Sequence, residues 1–268
     1  METVEIGGLT VSQLIIGGNP FSGFSHQSRE ADARMRAWFT DAKIKETLSE
    51  AEANGINTFI GRLDDHITGV MTSYWEEGGE VQWFAQTCPE LGPPEVSVER
   101  ARDAGAQACY IHGGVMDFLF AQDRLGEVPP VIDLIHKYGM LAGIAGHNHR
   151  VQRWAEESGL PVDFYMCSYY NPTPRDENAE HVHGAEEVYD EADRRAMTET
   201  IQTLSKPVIH YKIMAAGRHD PAAAFDYAAS KMRPGDVVCV GMYTQDVPDM
   251  IAQNVDLLEK SLSALKVV

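Results

Sequence analysis

Arg62, Gln86, His112, His147, Cys167 and Lys212 each stand where a short apolar run gives way to polar residues. The signal is densest in LAGIAGHNHR (141–150), where a helix-stop glycine, Gly139, precedes an apolar run that ends in His147, Asn148, His149 and Arg150. Two chemistries suit this set. In the first, His112, His147 and His210 offer imidazole nitrogen and Cys167 a thiolate to a divalent metal, Zn or Mn, with one position left open for water. In the second no metal is needed. His112 moves a proton, because an imidazole titrates near neutrality, while Lys212 and Arg62 hold an oxyanion, a carboxylate or a phosphate. Lys212 also becomes a Schiff-base candidate if an apolar surround lowers its pKa. Asn19, Gln86, Tyr169, Asn171 and Arg218 follow other apolar runs and are candidate substrate contacts.

Several of these residues have a structural alternative. His210 reads equally as a buried ring satisfied by a neighbour, Cys167 as a small core residue, and Lys212 as the cap of a helix end. His181 and His183 lie among Glu180, Glu186 and Glu187, where a solvated loop competes with a second metal cluster. The aromatics Phe21, Phe24, Trp38 and Phe39 either cover a sugar ring or anchor their own loop.

The elements that must position these groups follow from periodicity. Apolar runs of buried-strand length occur at 14–18, 57–60, 81–85, 108–111, 141–145, 163–167, 207–211 and 236–240. Each is followed by a segment with helical spacing, at 41–54, 64–77, 97–104, 128–138, 149–158, 189–205, 221–232 and 246–265. Residues 2–13, folded about Gly7-Gly8, read as a hairpin. Eight strand–helix alternations imply an α/β protein with a parallel sheet. In 268 residues they imply one domain, a (β/α)8 TIM barrel with an N-terminal β-hairpin. A doubly wound open sheet would want a phosphate-cradling GxGxxG after the first strand, and Gly17-Gly18-Asn19 is not that. In a barrel the C-terminal strand ends converge at one mouth, which gathers the candidate residues. Two connections, 19–40 and 173–188, are too long for simple loops and read as lids over the mouth.

Composition removes other classes. Acidic residues outnumber basic ones by 40 to 22, a net charge of −18, which disfavours a nucleic-acid or anionic-membrane partner. A cationic mouth on such a chain would instead select a small anionic substrate. The four cysteines form no CxxC pair, so a zinc ribbon is excluded. The N-terminus has no basic region followed by an apolar core, which points to the cytoplasm.

Taken in order, VEIGGLTVSQLIIGGNPFSG, NGINTF, YIHGG, VDFYMCSYYNP, HYKIMAAGR and DMIAQNVDLL resemble successive stretches of the aldo-keto reductase superfamily. The stretches correspond to its hairpin and first strand, its second-strand entry, its fourth-strand histidine, its sixth and seventh strands, and its last helix. The resemblance implies the barrel, NADPH contacted by acidic, Gln and Asn side chains of the last helix, and carbonyl reduction by a Tyr acid tuned by Lys, Asp and His. Residue by residue, only His112 matches that acid set. Ile60-Gly61-Arg62 stands where Asp is expected, Gln86-Thr87 where Lys is expected, and Tyr74 is the available phenol. After the eighth strand GMYTQD has no basic residue for a cofactor phosphate. A phenol of pKa about 10 with no Lys or Asp beside it is a poor acid at neutral pH. The sequence therefore reads as a non-redox hydrolase, lyase or isomerase acting on a small polar carbonyl or carbohydrate-like substrate, with a metal as an optional aid. An NADPH-dependent reductase with a rearranged site and a non-catalytic small-molecule binding protein are the alternatives.

Overall fold

The computed structural model describes residues 1–173, 175–180 and 186–266. An antiparallel hairpin, β1 (Thr3–Ile6) and β2 (Leu9–Ser12), precedes eight parallel strands. These are β3 (Leu14–Gly17), β4 (Thr58–Arg62), β5 (Gln82–Gln86), β6 (Ala108–Ile111), β7 (Leu141–Gly146), β8 (Phe164–Ser168), β9 (Val208–Tyr211) and β10 (Val237–Gly241). They pair in chain order, and β10 closes the barrel on β3 through Val238↔Leu14 to Gly241↔Gly17. This is the expected (β/α)8 barrel with an N-terminal hairpin.

Side chains alternate along each strand, so the barrel has two separate apolar cores. Ile15, Ile60, Phe84, Tyr110, Phe164, Met166 and Ile209 fill the inside. Ile16, Phe59, Trp83, Ile144, Tyr165, Cys167 and Val208 face the helical layer. Inside, the Phe84 and Tyr110 rings pack on Phe164 at centroid distances of 5.4 and 6.3 Å. Gly143 makes room for that ring, since a Cβ there would lie 2.4 Å from it. The hairpin closes the bottom: Ile6 and Val11 join the inner core. Gly7, at φ +56°, lies so close to Leu141 that a Cβ would approach it to 2.5 Å. Only the C-terminal end is left open.

The outer layer holds α2 (Asp41–Ala53), α3 (Asp65–Glu76), α4 (Pro94–Ala104), α6 (Val128–Lys137), α7 (His149–Glu157), α8 (Glu191–Ile201), α9 (Pro221–Ala229) and α10 (Met250–Leu265). Two helices lie outside the expected alternation. The first, α1 (Arg29–Trp38), sits within the long 19–40 connection and is N-capped by Ser28, whose side chain accepts from Ala31 N. The second, α5 (Gly113–Ala121), begins with two glycines that read as a turn. His112 caps it, its Nδ1 accepting from Gly114 N at 3.2 Å. Gly114 is sterically required, because a Cβ there would lie 2.3 Å from Ala179 O, and Gly113 is tightly packed, because a Cβ there would lie 3.0 Å from the His147 ring. Among the described residues no helix is long and apolar enough to cross a membrane.

Phe164→Ala should lower stability by about 3–5 kcal/mol, because it empties the centre of the inner core. Equilibrium urea denaturation checks this, and a loss below ~1 kcal/mol would mean that the barrel interior collapses to fill the space.

Candidate active site

Inner-face residues continue upward in steps of two, from Ile60 to Arg62, Phe84 to Gln86, Tyr110 to His112, Ala145 to His147 and Ile209 to Tyr211. All five end positions surround the mouth. The Arg62 guanidinium is held by Asp64 at 3.3 Å and Glu90 at 3.0 Å and lies over the Phe24 ring. The Tyr110 hydroxyl is buried beside Gln86 yet makes no hydrogen bond of good geometry among the described residues.

Lys212 follows β9 but leaves the strand, because its backbone is left-handed at φ +56°. It therefore does not share a strand face with His210, as a spacing of two suggests. Its ammonium donates to His26 Nε2 at 3.0 Å, and His26 Nδ1 donates to Glu187 Oε1 at 2.7 Å. The Tyr189 hydroxyl donates to the other Glu187 oxygen at 2.6 Å. Both long connections thus send a residue to Lys212. Burial pulls the Lys212 pKa down to about 8, against the opposing pull of Glu187 and with help from Arg175 and Arg218. Burial alone would raise the Glu187 carboxyl, but hydrogen bonds from His26 and Tyr189 and the nearby Lys212 charge bring it to about 2.

Two further histidines face this chain. His147 Nδ1 donates to Asp117 Oδ2 at 2.7 Å, and the Asp117 carboxylate also accepts the backbone N–H groups of His147 and Asn148. This fixes the tautomer and leaves Nε2 as an acceptor. His112 has the opposite tautomer: Nδ1 accepts from Gly114 N, so the proton sits on Nε2. Burial lowers both histidine pKa values. The proximity of His147, Arg175, Arg62 and Lys212 lowers that of His112 further. At neutral pH one ring presents a donor and the other an acceptor.

A cleft of about 460 Å³ starts at Tyr110, Met166 and Tyr211, passes Lys212, Met214 and Gly217, and ends against Gln253, Asn254 and Leu257 of α10. Among the described residues the non-glycine residues with positive φ are His26, Asp123, Lys212, Ala215 and Ala216, and His26, Lys212 and Ala216 line this cleft. Left-handed backbone costs roughly 1–2 kcal/mol per residue, and such strain gathers where function requires it.

The structure brings together His112, Lys212, Arg62 and Gln86 at the mouth, with Asn19 on the cleft rim beside His26. Other expected residues lie elsewhere. The proposed metal set of His112, His147, His210 and Cys167 does not assemble, because Cys167 and His210 are register partners on the outer barrel face. His210 is fully buried between the Tyr169 hydroxyl at 3.0 Å and Asp236 at 3.3 Å. No group of three or more His, Cys, Asp or Glu able to hold a metal ion occurs among the described residues. Tyr169 packs against Tyr227 on that same outer side and is not a substrate contact. Asn171 is held beside α8, its backbone N–H donating to Asp193. Arg218 donates to His26 O and stacks on Tyr189, so it braces the Lys212 chain rather than facing the cleft. Tyr74 lies on the buried face of α3 with its hydroxyl on Glu52, far from the acid position that the resemblance suggested. His181 and His183 fall outside the described residues.

Asp117, His26, Arg175 and Tyr211 complete the site and were not singled out from sequence, and Glu187, which also joins it, was read only as part of the loop around His181 and His183. Asp117 sits on α5, which its two leading glycines disguise. His26 and Glu187 lie in segments without periodicity. Tyr211 alone carried a usable signal, since it is the inner-face residue two positions after Ile209.

No family model matches the sequence, and no curated protein matches it. Solved structures do match. A Pseudomona aeruginosa protein described as an aldo-keto reductase aligns at TM-score 0.66 and 18% identity, over 97% of this chain and 96% of that one. An aldo-keto reductase from Bacillus halodurans aligns at 0.61 and 13%, over 99% and 96%. The fold is that of the aldo-keto reductases. A glycerol dehydrogenase from Gluconobacter oxydans aligns at 0.55 and 10%, over 97% and 96%. Most of the matching structures are named as oxidoreductases, so the non-redox expectation drawn from the missing Asp and Lys gives way to the reductase alternative.

Titration of ¹³C-methylated lysines by NMR should place Lys212 near pH 8. Glu187→Gln removes a nearby negative charge and should move that value down, whereas Arg218→Gln removes a positive one and should move it up. A Lys212 midpoint near the ordinary lysine value of about 10.4 would contradict its burial.

Proposed function

We propose that the chain is an NAD(P)H-dependent reductase of a small polar carbonyl compound, with Lys212 as its acid. The observation that carries this reading is the cleft joining the barrel mouth to α10, with the unpartnered Tyr110 hydroxyl at its inner end. Its lining suits a dinucleotide. Tyr211 offers a flat ring to a planar heterocycle. The left-handed residues Ala216 and Gly217 line the groove with backbone that could receive a diphosphate. Buried Asn254, with Gln253 and Arg34, adds amide and guanidinium donors at the outer end. Bound NAD(P)H would supply the hydride.

The residues of the chain do the rest. Lys212 Nζ holds the proton destined for the carbonyl oxygen, and with a pKa of about 8 it is mostly protonated at neutral pH. His26 accepts a hydrogen bond from that ammonium, and Glu187 accepts from the opposite edge of the His26 ring, so the chain fixes the position of Lys212 Nζ, and solvent returns the proton that it gives up. Arg62 and Gln86 provide donors for the developing oxyanion. His147, backed by Asp117, offers Nε2 to a substrate hydroxyl. The four cysteines are buried and unpaired, which suits a reducing compartment such as the cytoplasm.

NADPH or NADH should quench the tryptophan fluorescence saturably, and an absence of quenching by both sinks the reading. Once a carbonyl substrate is in hand, kcat/KM for reduction should fall as pH rises through about 8, because Lys212 then loses the proton it donates. Lys212→Met should lower kcat by about 10²–10⁴-fold with dinucleotide quenching retained. A flat pH profile, or an active Met variant, would assign the acid elsewhere.

A further inference from the structure

One end of the mouth lies between α5 and the segment 175–180, outside the redox step proposed above. Gln122 donates to Asp176 O at 2.7 Å, and Gly114 leaves room for Ala179 O, so the segment packs down on α5. This carries Arg175 inward until it is 8% exposed. Its guanidinium donates to Glu180 O and forms no ion pair with a carboxylate among the described residues. The carboxylates near enough to act on it are Asp117 and Glu187. Both are engaged: Asp117 accepts from His147 and two backbone N–H groups, and Glu187 accepts from His26 and Tyr189. A buried guanidinium is costly unless its charge and its N–H groups are answered. Beside it stands His112, whose Nε2–H has no protein partner among the described residues. A net charge of −18 on the whole chain makes this local excess of cation the more selective.

We propose that this closed end is a subsite for an oxyanion of the substrate, a carboxylate or a phosphate, held by the Arg175 guanidinium with His112 Nε2–H as a second, neutral donor. The proposal rests on the mouth being the active site of a carbonyl reductase and narrows the substrate to an anionic carbonyl compound. Arg175 matches either oxyanion because its planar fork can donate two parallel hydrogen bonds.

Calorimetric titration of the full chain, without dinucleotide, by sodium oxalate and separately by inorganic phosphate tests it. One of the two should bind with Kd at or below about 1 mM, and the stronger one identifies the group. Arg175→Gln should weaken that binding by at least about tenfold, with Arg175→Lys keeping part of the affinity. In the parent chain the Arg175 Nε–Hε resonance should shift on saturation, a readout that does not depend on any variant folding. Equal affinity in parent and Arg175→Gln, an unmoved resonance, or no heat from either anion at about 10 mM overturns the subsite. NADPH quenching on the same samples separates the two readings. Quenching without anion binding overturns the subsite alone, and anion binding without quenching overturns the dinucleotide reading while the subsite stands.

Discussion

The alternation of side chains along eight parallel strands decides which groups can meet. A shift of one residue sends a side chain from the inner column to the helical layer. His210 and Tyr211 are neighbours in sequence, yet one is sealed against Tyr169 and Asp236 while the other lines the mouth. The same rule separates Cys167 from Met166. Which strand residues reach the site follows from this division. The hairpin plug then leaves the C-terminal end as the open one.

At the mouth the constraint becomes electrostatic. Arg62, Lys212 and Arg175 are gathered on a chain that is otherwise strongly acidic, and each is managed differently. Arg62 is paired at the rim, Lys212 is partly neutralised by burial and linked to Glu187 through His26, and Arg175 is left with a backbone carbonyl. The histidines respond by remaining neutral, and their tautomers are set by what each Nδ1 touches. His112 caps a helix and His147 is tied to a carboxylate. Two chemically identical side chains thereby acquire opposite hydrogen-bonding roles.

The barrel was legible because buried parallel strands are apolar runs of fixed length, and glycine stops such as Gly55, Gly105, Gly139 and Gly159 punctuate the helices between them. The end positions Arg62, Gln86, His112 and His147 were legible for the same reason. The partners that give them their properties were not. Asp117 lies in a helix opening with Gly113-Gly114, where local propensity says turn and packing against His147 and Ala179 says otherwise. Lys212 was legible as a residue but not as a conformation, since nothing local announces a left-handed lysine. For Cys167 and His210 the strand face decides between the two readings that the sequence left open, in favour of buried structural roles, and it removes Tyr169 from the substrate contacts. The missing Asp and Lys were read as lost redox chemistry, an inference from absence that the structural neighbours do not support.

The contact between Lys212 and His26 joins residues 186 positions apart, and that between His26 and Glu187 joins residues 161 apart. Contacts of such separation carry a large loop-closure cost that only an assembled barrel can offset. Barrel closure itself spans a longer stretch of chain, from Leu14 to Val238. The site contacts and the closing strand pair therefore depend on the same long-range assembly, and whatever loosens the seam between β3 and β10 also loosens the loops that carry His26 and Glu187.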